Sequence, residues 1–204
     1  MTGIILAGGR SRRMGRHKLF LQTGGVPLFE RVYRVLSRVF ADIIVVANDP
    51  VIFHPYDVRI VSDIVPGKGA LGGLYTGLKH ASSDHGFCFA ADMPFLNARL
   101  IRYMMERCHE GDVVIPRTSK GLQPLHAIYA KKCLGPIKDL MVSGDLKIID
   151  FFADVTVTYI SEREILNYDP TLKSFLNVNT RQDLREAERM LVQGFDEETA
   201  DRRH

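Results

Sequence analysis

Residues 3–18 read GIILAGGRSRRMGRHK. An apolar run of strand character, Ile4-Ile5-Leu6, passes directly into thirteen residues (6–18) that hold three glycines, five Lys/Arg and no acid. Glycines beside cations after a first strand suggest a loop whose backbone N–H groups wrap phosphates while Arg and Lys neutralise them. Spacing rules out two familiar forms of such a loop. A Walker A loop needs a glycine, four residues, then Gly-Lys-Ser/Thr, but counting from Gly8 or Gly9 puts Arg13 or Met14 where the second glycine belongs. The dinucleotide pattern GxGxxG fails because the glycines stand at 8, 9 and 15. The plainer reading of SRRMGRHK is a solvated basic patch that touches RNA, DNA or nothing. Against nucleic acid stands the lack of any aromatic residue interleaved with the cations.

Outward from this stretch, short runs rich in Ile and Val alternate with stretches of helical period. The runs are GIILA (3–7), DIIVVAN (42–48), VRIVSD (58–63), GFCFAAD (86–92) and DVVIP (112–116). Between them lie PLFERVYRVLSRVF (27–40), LGGLYTGLKHA (71–81) and NARLIRYMMERC (97–108). This alternation predicts an α/β fold of three layers, α/β/α, around a mainly parallel, Rossmann-like sheet. PLHAIYA (124–130), DVTVTYI (154–160) and SFLNV (174–178) are expected to add strands in a smaller mixed or antiparallel C-terminal part. A last helix is expected from Thr180, where Thr-x-x-Asp imitates a capping box.

The polar residues fall at the strand ends. The first strand runs into Gly8-Gly9, the second into Asn48-Asp49, the third into Asp63 and the fourth into Asp92. In an open α/β sheet, ligands sit in the crevice beyond the carboxyl ends of the strands. Each residue taken alone is also an ordinary strand terminator; the repetition marks a site. A nucleoside triphosphate is used with Mg²⁺, which takes one or two carboxylates plus phosphate oxygens. Asp92, emerging from an almost wholly apolar strand, is the candidate metal ligand.

Composition sets outer bounds. With 204 residues, 46% of them hydrophobic, one domain is expected over 1–193, with a polar tail at 194–204. The formal net charge of +3 excludes a wholesale nucleic-acid neutraliser. Cys88, Cys108 and Cys133 are odd in number, far apart and form no CxxC pair, which argues against a disulfide framework and a zinc site. No basic leader and no long apolar window is present, so the expectation is a cytoplasmic protein without a membrane span.

LAGGRSRRMGRHK, GALGGLYTG (69–77), AADMPF (90–95), QPLHAIY (123–129) and NVNT (177–180) together resemble the molybdenum cofactor guanylyltransferases, in the larger group of nucleotidyltransferases that begin LAGGxSxRMGxxK or LAAGxSxRMGxxK. The likeness runs from residue 3 to about 192 with the motifs in order. It implies a sheet of the nucleotide-diphospho-sugar transferase type and transfer of GMP from GTP to the phosphate of molybdopterin, the molybdenum cofactor, with release of pyrophosphate. It also implies Mg²⁺ as cofactor and hand-off of the product to molybdoenzymes or their chaperones. By that resemblance Leu6, Ala7, Gly8 and Gly9 hold the nucleotide by backbone, Arg13 and Lys18 are the cations of the triphosphate loop, Asn48 and Asp63 touch the nucleoside, and Asp92 ligates Mg²⁺. Asn177 and Asn179 fall near the metal or the second substrate. The chain departs from the family at His17, Ala70 and Ala91, where Asp, Pro and Cys are common.

LAGG in place of LAAG favours guanine over cytosine, since a glycine where the other form has alanine lacks Cβ and leaves more room beside the backbone. The alternatives are a cytidylyltransferase on the same cofactor, a sugar-phosphate nucleotidyltransferase and a non-catalytic nucleotide-binding module. His126 is expected to be a satisfied structural histidine. Gly67, Gly69, Gly72 and Gly73 read equally as turn glycines and as a place of close approach by a ligand.

Overall fold

A computed structural model gives the architecture. It describes residues 1–8 and 18–201, and of Lys18 and residues 192–201 the backbone alone. In chain order the elements are β1 (Thr2–Leu6), β2 (Gln22–Thr23), β3 (Val26–Pro27), α1 (Leu28–Leu36), β4 (Ile43–Val46), β5 (Arg59–Val61), α2 (Gly69–His80), β6 (His85–Ala90) and α3 (Ala98–Glu106). There follow β7 (Val113–Thr118), β8 (Gly121–Leu122), β9 (His126–Ala130), α4 (Leu134–Ser143), β10 (Val157–Ser161), α5 (Glu162–Leu166) and α6 (Arg181–Asp201).

The main sheet has the order β10-β7-β9-β6-β1-β4-β5, with β8 paired to β7. The strands β6, β1, β4 and β5 are parallel neighbours, and β10 is parallel to β7. Strand β9 runs antiparallel to both β6 and β7, so it is a reversed strand set between two that share a direction. The sheet is therefore mainly parallel with a mixed C-terminal part, as the sequence predicts.

Side-chain alternation along the strands divides the core in two. Ile5, Val45, Phe87 and Phe89 face α1 and α3 through Phe29, Val32, Leu36, Leu100, Ile101 and Met104. Ile4, Ile44, Val46 and Cys88 face α2 and α4 through Leu71, Leu74, Leu78, Ile137 and Met141. These are the three layers. The α2 layer lies close because glycines line it. A Cβ at Gly77 would stand 2.3 Å from Ile4 Cγ2, and one at Gly86 would stand 2.4 Å from Ile4 Cδ1.

Helix starts follow local chemistry. Asn97 Oδ1 accepts hydrogen bonds from the N–H groups of Arg99 (2.9 Å) and Leu100 (3.1 Å), which caps α3. At α6 the expected box forms: the Asp183 N–H donates to Thr180 Oγ1 (3.1 Å), and the Thr180 N–H donates to Asp183 Oδ2 (2.8 Å).

One expected strand is corrected. SFLNV forms none: Lys173–Phe175 is a 3₁₀ turn, and residues 176–179 run on without regular structure. The edges of the sheet are β5 and β10, whereas this segment crosses the centre of the rim beyond β6, where no edge awaits a partner. It packs by single side chains. Phe175 meets the His126 ring at 5.1 Å, and Val178 is buried with Leu28 and Ala187. Helix α6 continues to Asp201 through residues 194–201, read from sequence as a polar tail, and residues 202–204 lie outside the described ones. Among the described residues no helix is long and apolar enough to cross a membrane.

Candidate active site

The carboxyl ends of the parallel strands are drawn level by hydrogen bonding. Leu6 pairs with Val46 on one side and Ala90 on the other, and Val46 pairs with Val61. Beyond those pairs the ladder continues: the Ala7 N–H donates to Val46 O (3.0 Å), Ala47 to Val61 O (3.0 Å) and Ala91 to Leu6 O (3.2 Å). Leu6, Ala7 and Gly8, then Asn48, Asp63 and Asp92, consequently leave the sheet along one rim within two residues of these bonds. Gly8 and Asn48 are exposed, and Asp63 and Asp92 are half-buried.

The late motif arrives at the same place. The Val178 N–H donates to the Asp92 carbonyl oxygen at 2.9 Å, so the exposed Asn177 and Asn179 flank a direct bond to the backbone of the candidate metal ligand. Sequence reading placed these asparagines near the metal or second substrate and missed this bond. Its signal was the apolar Val178 between two polar residues, an anchor rather than a contact.

Gly9 and Arg13 lie outside the described residues, as does His17. The backbone of Lys18 opens a 3₁₀ turn, Lys18–Phe20. That turn is anchored: Leu19 is buried in the core, and the Phe20 ring lies 6.3 Å from Phe29 and 5.8 Å from Phe53. The two ends of the glycine- and arginine-rich stretch are thus held, one by β1 and one by an apolar turn.

Asp63 takes part in the scaffold. Its Oδ1 accepts from Thr76 Oγ1 (3.0 Å) and from the Val65 N–H (3.2 Å), while the Ile64 N–H donates to Thr76 Oγ1 (3.0 Å). Thr76 is fully buried among the apolar contacts of α2, and its hydroxyl pins the turn after β5 to that helix. Gly67 (φ 85°) and Gly69 (φ 59°) occupy the left-handed region that glycine adopts without strain. Gly72 and Gly73 serve packing: a Cβ at 73 would come 3.2 Å from Leu6 Cδ2, and one at 72 would come 3.1 Å from Val65 O. The glycine-rich second motif therefore seats the start of α2 against the end of β1.

His126 corrects another expectation. It is structural and fully buried, yet among the described residues neither ring nitrogen has a hydrogen-bond partner. The ring stands near-perpendicular to Phe87 (5.5 Å), Phe89 (5.4 Å) and Phe175 (5.1 Å). Burial pushes its pKa down to about 3, and the nearby Asp169 charge only partly opposes this. The imidazole is neutral and fills an aromatic slot beneath the 173–179 segment.

Comparison with known proteins accords with this geometry. Residues 3–157 match the family model of the MobA-like NTP transferase domain. A probable molybdenum cofactor guanylyltransferase of Pelotomaculum thermopropionicum is 40% identical over 183 residues, covering 90% of this chain and 89% of that protein. A molybdenum cofactor guanylyltransferase of Desulfosudis oleivorans is 34% identical over 196 residues, covering 95% and 97%. The crystal structure of molybdopterin-guanine dinucleotide biosynthesis protein A from Archaeoglobus fulgidus superposes with a TM-score of 0.84 at 26% identity, covering 95% of this chain and all of that one. The match over most of the chain establishes that this protein belongs to the MobA-like NTP transferase family.

Proposed function

We infer that the chain transfers GMP from GTP to the phosphate of molybdopterin, giving the guanine dinucleotide form of the cofactor and pyrophosphate. The observation that carries this reading is the shared rim, where the ends of β1 and β6 and the NVNT segment are joined by the Ala91–Leu6 and Val178–Asp92 hydrogen bonds. The names of the relatives supply the two substrates. Leu6, Ala7 and Gly8 are assigned to the nucleoside by their backbone, with Gly8, beside which nothing among the described residues lies within 4 Å of an added Cβ, leaving room for a purine, and Asn48 beside them. Asp63, committed to Thr76 and Val65 through Oδ1, acts by shaping that wall.

The rim fits Mg²⁺ by donor chemistry. Asp92 offers one half-buried carboxylate and Asn177 and Asn179 offer amide oxygens, the hard donors this cation takes together with phosphate. When bound, Mg²⁺ supplies Lewis-acid polarisation of the phosphate oxygens. The chain itself positions and neutralises. A phosphate oxygen of molybdopterin attacks the α-phosphorus of GTP, the bond from that phosphorus to the bridging oxygen of the β-phosphate breaks, and the electron pair leaves with pyrophosphate. Arg13 and Lys18 are assigned to the charge growing on that leaving group. The acid-free loop suits this role, because a carboxylate there would compete for hydrogen bonds worth roughly 1.5–3 kcal/mol each. The described cysteines are free and buried, in keeping with a reaction run in the cytoplasm before hand-off to molybdoenzymes or their chaperones.

The test is pyrophosphate release with molybdenum cofactor, Mg²⁺ and each nucleoside triphosphate in turn. GTP is expected to exceed CTP at least tenfold. A better rate with CTP reassigns the chain as a cytidylyltransferase, and no release with any donor leaves a nucleotide-binding module.

A further inference from the structure

At the opposite end of β6 from Asp92, the fold brings His85 to the adjacent pair Cys108-His109, which lies far from it in sequence. His85 opens β6, while Cys108 and His109 follow the end of α3. The possible ligand atoms of all three lie within 4.8 Å of one another. The two imidazoles stand perpendicular with centroids 5.5 Å apart. Cys108 is a free thiol, 8% exposed, and His109 is exposed.

We propose that His85, Cys108 and His109 form a binding site for a transition-metal ion of the zinc type, at the amino rim of the sheet and separate from the nucleotide. Two imidazole nitrogens and one thiolate suit Zn²⁺ and are poor ligands for Mg²⁺. In a tetrahedral zinc site, bonds of about 2.0–2.3 Å put neighbouring ligand atoms roughly 3.4–3.6 Å apart. Closing from the observed limit of 4.8 Å takes little more than 1 Å, within reach of side-chain rotation at the exposed His109. Binding replaces the Cys108 S–H bond with a sulfur–metal bond and gives the proton to solvent, while each imidazole donates a ring lone pair.

The backbone under the ligands is already fixed. The Arg107 guanidinium donates to Glu110 (2.9 Å from Nε, 2.6 Å from Nη2) and to Glu164 (2.5 Å), which locks the turn that carries Cys108 and His109. On the other side, His85 is paired with Ala130, and the Lys131 N–H donates to Asp84 O (2.8 Å). His85 and His109 also border an open cavity of about 610 Å³ whose wall includes Asp84, Glu110 and Asp112. A fourth ligand, water or the Asp84 carboxylate, enters from there. The site does not duplicate the Asp92 rim, since the length of β6, about 17 Å at 3.3 Å per residue, lies between them. Its effect is to clip the start of β6 to the end of α3.

The test titrates the full chain with Co²⁺, then measures Zn²⁺ affinity by competition with a chromophoric chelator. One Co²⁺ per chain with a thiolate-to-cobalt charge-transfer band is expected, the band absent in Cys108→Ser and retained in Asp92→Ala. His109→Ala, at an exposed position that spares folding, should weaken Zn²⁺ binding at least fivefold and abolish the rise in Tm that Zn²⁺ gives the parent. No charge-transfer band in the parent, a band that survives Cys108→Ser, or a loss under fivefold in His109→Ala overturns the proposal.

Discussion

At the carboxyl rim of the sheet the polar groups are oxygens, the carboxylates of Asp63 and Asp92 and the amides of Asn48, Asn177 and Asn179; at the amino rim they are the imidazoles of His85 and His109 and the Cys108 thiol. One strand, β6, reaches both. The difference teaches that one sheet presents two donor chemistries with no dedicated selectivity device, hard oxygens at one rim and softer nitrogen and sulfur at the other. It also separates two kinds of order. The carboxyl rim is assembled from loops tied down by backbone hydrogen bonds, whereas the amino rim is built on element ends locked by a guanidinium.

The largest effect that could break this contrast is Asp92→Ala. Turnover is expected to fall by about 10³, roughly 4 kcal/mol of transition-state stabilisation, with GTP binding only weakened. Measured by pyrophosphate release beside the Co²⁺ spectrum, the substitution should silence one rim and leave the other unchanged; a loss at both would mean that they are not independent. Next comes Gly77→Ala, placed between the rims, where the new methyl would meet Ile4 Cγ2 at 2.3 Å. Overpacking of this kind costs about 2 kcal/mol, or a fall in Tm of about 5 °C by calorimetry. KM for GTP should move little, and a stability equal to the parent would show that α2 is free to lift away.

The smallest effect concerns acid. His126 has a folded pKa of about 3, below the value of about 6.5 expected when unfolded, so between those values the unfolded chain takes up a proton that the folded one refuses. The stabilisation is complete above pH 6.5 and declines as pH falls toward 3, by up to about 1.4 kcal/mol per pH unit. Urea melts from pH 7 to 5.5, a window worth about 1.4 kcal/mol, should show this slope in the parent and a flatter one in His126→Phe. Equal slopes would mean that the slot beneath the Asp92 rim does not govern acid stability.

Much of the parallel half of the fold was legible, because alternating apolar runs and helical periods recur there with polar residues at each strand end. The end of β1, Asn48, Asp63 and Asp92 do line one rim, since strands of one direction bring their carboxyl ends together. What was not legible depended on pairing. Nothing within PLHAIYA says that it reverses between β6 and β7, and a five-residue stretch such as SFLNV has the same composition whether it pairs or merely plugs gaps. What Asp63 and His126 meet was likewise distant in sequence: Thr76 bonds one carboxylate oxygen of Asp63, and three phenylalanines surround the imidazole. The His85–Cys108–His109 group escaped for the same reason, since a search for CxxC sees only neighbours along the chain.

The bond from Val178 to Asp92 sets an order of events in synthesis. A nascent chain that has emerged as far as α5 possesses every strand of the sheet, yet the segment that steadies Asp92 is still unmade. Leu28 then waits for Val178 and Ala187 to cover it. Completion of the Asp92 rim is thereby deferred until the 173–179 segment has emerged, and a chain stopped before it would keep its strands but lack the bond that steadies Asp92.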